Sequence, residues 1–246
     1  MKLPLRILSV VLALAPVAPA AAFASGDAPM VVELFTSQGC SSCPPADSYI
    51  SELADRPGVI ALSLAVDYWD YLGWKDTLAQ PGNSARQRAY AASLGDRRLF
   101  TPQMVVNGRE SAPGHDRATI EHALRTARAL TRATLPVRVS AEPGDGRVDV
   151  TIADAGGRSG EVWALGVQRR VRVDIGRGEN AGRTATYRNV VRSMTKVASW
   201  SGRRVTVSLD TAEWLDEGCD LVVVLVQDAP EGRLGPVIGA ATAALR

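Results

Sequence analysis

Cysteine and histidine are scarce in this 246-residue sequence, at three and two. A scaffold stapled by disulfides needs more cysteine, so the core is expected to be mainly hydrophobic. An excess of charge is missing too, with 28 Lys+Arg against 26 Asp+Glu. That balance argues against nucleic acid or an anionic membrane as a partner chosen by bulk charge. Beyond residue 24 there is no long apolar run, no internal repeat and no low-complexity tract. No stable membrane insertion is expected of that part of the chain.

The first 24 residues differ from the rest. Met1 to Arg6 carries Lys2 and Arg6 and no acid. An apolar run from Ile7 to Ala15 follows, continuing through Pro16 and Pro19 to Ala22-Phe23-Ala24. A cationic start, a short apolar stretch and an A-x-A end describe a secretory signal peptide over 1–24. A membrane anchor is the alternative, and the stretch is short for a bilayer and broken by two prolines. Loss of the leader leaves the two signs of charge equal. Periplasmic or secreted localisation is expected, where disulfides persist.

Met30 to Phe35 and Val59 to Val66 are continuous apolar runs, the pattern of strands covered on both faces. A helix is expected between them, opening at Pro44 and Pro45 and carrying Tyr49, Ile50 and Leu53 on one side. Ser84 to Leu94 and His115 to Leu130 read as further helices. Thr101 to Gly108 and Arg109 to Ala112 read as strands joined by the turn pair Asn107-Gly108. The order β-α-β-α-β-β-α over 27–131 is an α/β arrangement. Past a boundary near Arg132, short alternating strands separated by turn residues predict an all-β sandwich over 134–246. Its strands are expected at Val137–Ala141, Val148–Ile152, Val162–Val167, Val171–Ile175, Ala185–Val197, Val205–Leu209, Leu221–Val226 and Val237–Ala241.

Cys40 and Cys43 lie where the first strand's loop meets the first helix. A disulfide across so short a loop constrains little chain entropy, so chemistry is the better reading of the pair. Unpaired N–H groups at a helix start stabilise a thiolate, and three-residue spacing lets a second thiol close the disulfide. Cys40 is the expected nucleophile and Cys43 the expected resolving thiol. Two alternatives stand beside this: a structural disulfide, or half of a zinc or copper site completed by Cys219, His115 or His122. None of those three forms a second paired motif, and no metal ligand set is assigned. The only cofactor-like element is the redox-active disulfide itself.

Other residues gather around that reading. In the thioredoxin fold a cis-proline opens the third strand and faces the cysteine pair. Thr101-Pro102 stands at that place in the element order and is read as a substrate groove, with an ordinary strand-opening proline as the alternative. The N-terminal domain is therefore read as thioredoxin-like. Glu33 could be a buried acid relaying protons to the resolving thiol, or face solvent or a helix. Trp69, Tyr71 and Trp74 could form a binding rim, or a flap packed on the fold's own core. The glycine-rich stretch Gly178 to Arg183 either reaches the site or merely connects strands. Cys219 adjoins an apolar strand and reads as a buried thiol without redox role.

Three segments together carry a resemblance. They are Val32 to Asp47, Val66 to Trp74, and Gly178 to Arg183 with Tyr187 and Asn189-Val190-Val191. On these the chain resembles the bacterial domain-of-unknown-function 1223 family across nearly all of the exported portion. The resemblance implies a thioredoxin fold and export, and implies no substrate. Ser41-Ser42 stands between the cysteines where thioredoxins carry Gly-Pro, and the stretch from Cys43 to Pro102 is enlarged. The leading expectation is an exported thiol-disulfide oxidoreductase whose partners are protein thiols or disulfides or a periplasmic redox protein. A binding module with a structural disulfide comes second and a copper-handling protein third. If the leader is cut after Ala24, intact mass of periplasmic protein will correspond to a chain starting at Ser25.

Overall fold

Every residue of β1 (Met30–Thr36) and of β2 (Val59–Ala65) is buried, as continuous apolar runs require. The two strands are parallel, from Met30↔Val59 to Thr36↔Ala65. This computed structural model describes residues 28–96, 98–134 and 136–245. The expected signal peptide lies outside the described residues. Between β1 and β2 runs α1 (Pro44–Ala54), which buries Ala46, Tyr49, Ile50 and Leu53. Then come α2 (Pro81–Leu94), β3 (Gln103–Val106), β4 (Glu110–Pro113) and α3 (Arg117–Thr134). The β3–β4 turn is the expected one, with φ 51° at Asn107 and 65° at Gly108. Gly108 is required twice over, since a Cβ there would meet the Gly235 carbonyl oxygen at 2.7 Å.

The second half supplies β5 (Val139–Gly144), β6 (Arg147–Ile152), β7 (Gly160–Asp174), β8 (Thr184–Trp200) and β9 (Val205–Asp210). A short helix α4 (Ala212–Asp216) precedes β10 (Leu221–Gln227) and β11 (Val237–Ala244). The chain is mixed α/β, dominated by one eight-stranded sheet in the order β11-β10-β7-β8-β2-β1-β3-β4. This corrects the picture of an α/β unit followed by a separate sandwich. The long helices end near the expected boundary, but hydrogen bonding does not: β8 lies beside β2, and four strands of the second half continue the sheet of the first. The core is continuous as well, with Val31, Phe35, Leu62 and Tyr90 packed together with Leu165, Val167, Val191 and Leu225. A two-layer β arrangement exists only at the far end. There the three-stranded sheet β5-β6-β9 packs Val148, Val150 and Ile152 against Val162, Ala164, Val222 and Val224.

The runs Val162–Val167 and Val171–Ile175, expected as two strands, belong to one 15-residue strand. The polar Gln168-Arg169-Arg170 between them is no turn. It lies where β7 and β8 begin to leave the sheet as a two-stranded arm, paired from Arg170↔Arg188 to Asp174↔Thr184. Ile175 to Arg183 forms the arm's tip.

Glu33 is wholly buried inside β1. Its carboxylate accepts from Arg86 Nε at 2.5 Å, from Arg86 Nη2 at 3.0 Å and from the Tyr90 hydroxyl at 2.5 Å. Arg86 Nη2 also donates to Gln227 Oε1, and Gln227 Nε2 donates to Tyr90 and to the Gly235 carbonyl. Burial, opposed by Arg86 and reinforced by Glu33, holds the Tyr90 hydroxyl well above its ordinary pKa, so it stays a donor. The network ties β1, α2 and β10 together. A buried charge deprived of its partner is costly: Arg86→Met should lower the unfolding free energy by roughly 3–5 kcal/mol in urea titration, and Glu33→Leu added to it should restore most of that loss.

Candidate functional site at the Cys40–Cys43 disulfide

The end of β1 delivers the turn Ser37-Gln38-Gly39, and α1 starts immediately beyond it. Cys40 and Cys43 are joined in a disulfide with Cα atoms 5.4 Å apart. Cys43 is the N-cap of α1, and Pro44 and Pro45 fill the first helical positions, where their missing N–H groups leave nothing unpaired. The Cys43 carbonyl accepts from the amides of Ala46 and Asp47. Cys40 is 4% exposed and Cys43 0%, so both residues are buried and Cys43 completely.

The structure brings the expected groove residues to this pair. The Thr101-Pro102 peptide is cis, and the Thr101 carbonyl accepts from the hydroxyl of Ser42, between the two cysteines, at 3.4 Å. Trp69 Nε1 donates to Thr101 Oγ1 at 2.7 Å, and Trp74 Nε1 donates to Gln38 Oε1 at 2.7 Å. Trp74 thus braces the cysteine loop, and Trp69 the Thr101-Pro102 loop beside it. Tyr71 stacks on Trp69 and is 76% exposed. The aromatic segment is thus part brace and part open platform.

The glycine-rich stretch reaches the site. Asn180, at the tip of the β7–β8 arm, donates through Nδ2 to the carbonyls of Gln38 and Cys40, both at 2.9 Å. The Ser41 amide donates to Glu179 Oε2 at 3.1 Å. Gly178, at φ 77°, lets the tip lie flat on Trp74, whose Cβ would be 3.1 Å from any Cβ placed there. A chain segment about 140 residues away in sequence therefore covers the disulfide, a fact that no local signal in Gly178 to Arg183 carries.

Glu33 is not brought to the pair. Alternate residues of β1 face opposite sides: Val32 and Leu34 pack on α1, whereas Val31 and Phe35 pack on the other core. Glu33 shares the second side and is taken up by Arg86 and Tyr90. The acid that does lie near the cysteines is Asp47, one helical turn past Cys43. Its Oδ1 accepts from the Thr36 hydroxyl at 2.7 Å. Burial pushes its carboxyl up to about 7, the Thr36 bond opposes this, and the nearby charge of Asp76 adds to it. Asp47 lines a cleft of about 550 Å³ between α1 and the arm, with Pro44, Asn180, Arg183 and Tyr187 among its other walls. In sequence Asp47 looks like an ordinary acid in a first helical turn, and only distant residues make it unusual. Cys219 is a buried thiol with no disulfide. His115 and His122 are exposed on the α3 side, and among the described residues no cluster of three or more His, Cys, Asp or Glu suits a metal ion.

The chain belongs to the family described as proteins of unknown function, DUF1223, which matches residues 31–227. The crystal structure of protein AGR_C_4864 from Agrobacterium tumefaciens is similar at 32% identity and a TM-score of 0.79, over 91% of this chain and 97% of that one. HBP35 of Porphyromonas gingivalis shares the fold at 14% identity and a TM-score of 0.64, over 90% of this chain and 76% of that one. Among proteins with curated descriptions, none matches.

Asn180 supplies two of the bonds that hold the arm on the cysteine loop. At about 1 kcal/mol each, their loss should shift the arm's opening equilibrium by roughly tenfold or more. Iodoacetamide should therefore label Cys40 of the reduced Asn180→Ala protein several times faster than in the reduced parent, with unchanged circular dichroism.

Proposed function

We propose that this DUF1223 protein is an exported thiol-disulfide oxidoreductase acting through Cys40 and Cys43, on a thioredoxin-like unit spanning roughly 27–131. The observation that carries the reading is a disulfide at the N-terminus of α1 beside the Thr101-Pro102 loop. The sheet order β2-β1-β3-β4 supports it, as does the placement of α1 and α3 on one face and Tyr90 of α2 on the other.

In the reducing direction the chemistry balances as follows. The Cys40 thiolate attacks one sulfur of a partner's disulfide, a mixed disulfide forms, and the partner's other sulfur leaves as a thiolate. Cys43, as thiolate, then attacks the Cys40 sulfur. The intramolecular disulfide closes and the second partner thiolate departs. Two electrons pass from the cysteine pair to the partner, and the reverse sequence oxidises a partner dithiol. Cys40, the less enclosed of the two and lying before the helix start, is assigned the attacking role, and the wholly enclosed Cys43 the resolving one.

The burial of both cysteines favours a second reading, a binding module whose disulfide is structural. Such a disulfide is expected below about −300 mV, and a working one above it. Expression of Cys43→Ala should accumulate mixed disulfides through Cys40, because no neighbour is left to release them. Cys40→Ala should accumulate few. A pair that cannot be reduced without unfolding the protein would leave the structural reading standing.

A further inference from the structure

The cleft beside the disulfide has unmet chemistry. Asn180 is buried, and its amide nitrogen is fully used on the Gln38 and Cys40 carbonyls. Its oxygen, on the other side of the amide, is buried with no donor. An unsatisfied buried acceptor is costly, and a donor arriving from outside removes that cost. Asp47 stands on the same walls, its carboxyl accepting from the Thr36 hydroxyl, and among the described residues no lysine or arginine forms an ion pair with it. Asp76 adds a second negative charge to its surroundings. Tyr187 closes the wall, and burial, with the charges of Asp47 and Asp76, keeps its hydroxyl protonated. Arg183 is the cation on this cleft, and it sits on the exposed side of the arm. The cleft thus holds two acceptors, Asn180 Oδ1 and the Asp47 carboxyl, with no cation bonded to either among the described residues, beside neutral hydroxyl groups that include Tyr187.

We propose that this cleft receives an ammonium or guanidinium group carried by a peptide segment, so that the polypeptides exchanging disulfides at Cys40 are those with lysine or arginine within a few residues of the reacting cysteine. The substrate class rests on the oxidoreductase reading; the binding preference does not. Proximity supports the link, because Pro44 directly follows Cys43 and Asn180 is bonded to the Cys40 carbonyl. The preference needs Asp47 ionised. Thr36 on β1 and Asp76 on the loop after β2 act on that carboxyl, the Tyr187 hydroxyl on the arm feels its charge, and Arg183 lines the same cleft from the exposed side of the arm. With its pKa near 7, Asp47 is a carboxylate above neutrality and loses its charge as pH falls below it.

The test uses the full oxidised exported chain and three thiol-free peptides, acetyl-Gly-Lys-Gly-amide and its Gln and Glu counterparts, titrated by calorimetry or NMR. At pH 8 the Lys peptide should bind at least fivefold more tightly than the Gln peptide, and the Glu peptide most weakly. At pH 5.5 the three should converge. In Asp47→Asn they should bind within twofold of one another at both pH values. Arg183→Glu, a change on the exposed side, should tighten Lys-peptide binding severalfold and keeps the test alive if Asp47→Asn folds poorly. Equal binding of the three peptides to the unaltered protein, or no binding of any, overturns the proposal. No thiol takes part, so a lysine preference in a protein whose disulfide resists reduction would retain the cleft and remove the exchange chemistry.

Discussion

The placement of β8 beside β2 is the constraint on which the site depends. Strand pairing there is brief, with Ser63 opposite Val190, and side chains complete the join. The Ser63 hydroxyl donates to the Arg188 carbonyl, and Asn189 Nδ2 donates to the Ala61 carbonyl. Asn189 sits at φ 48°, a conformation asparagine tolerates better than most residues, and it bends β8. On one side of the bend Val190 belongs to the sheet. On the other, Arg188 pairs with Asp55 at the end of α1, and Thr184 to Tyr187 line the cleft along that helix. The arm can therefore lie along α1 and put its tip at the cysteines only because β8 both joins the sheet and turns out of it.

The Glu33 network supports the same arrangement from the opposite face. Arg86 of α2 bonds to Glu33 of β1 and to Gln227 of β10, strands with three others between them in the sheet. A buried pair of this kind gives weak stabilisation against an apolar substitute but penalises any arrangement that separates its members. Here it fixes how the second half's strands stand over the first half's core.

Local elements were legible in the sequence because their periodicities are local. The apolar runs of β1 and β2, the Asn107-Gly108 turn and the prolines opening α1 each carry their own signal. Pairing across the boundary does not: nothing in Val190 announces Ser63. Polar residues inside β7 read as a break because the arm is exposed, so alternation there has no buried face to display. Glu33, a lone acid in an apolar run, was visible as unusual, but its partner Arg86 is 53 positions away and its side of the sheet follows only from register. Asp47 was hidden for the converse reason. An acid in a first helical turn is common, and its raised pKa comes from burial and from Asp76.

The covering of the disulfide is asymmetric in a way that bears on its chemistry. Cys40 is covered by the arm tip, which holds on through Asn180 to two carbonyls and through Glu179 to the Ser41 amide. These contacts are made to the loop's backbone, so the tip can lift without disturbing the core. Cys43 is enclosed where α1 begins, next to Ala46, which packs in the core with Leu34. Exposing it means moving the helix. Under exchange chemistry that difference alone sorts the thiols, one reachable after a small displacement and one reachable only from within. Glu179 adds a further coupling. Its carboxylate occupies an amide in the cysteine loop at the start of α1, where the same N–H groups would stabilise a Cys40 thiolate.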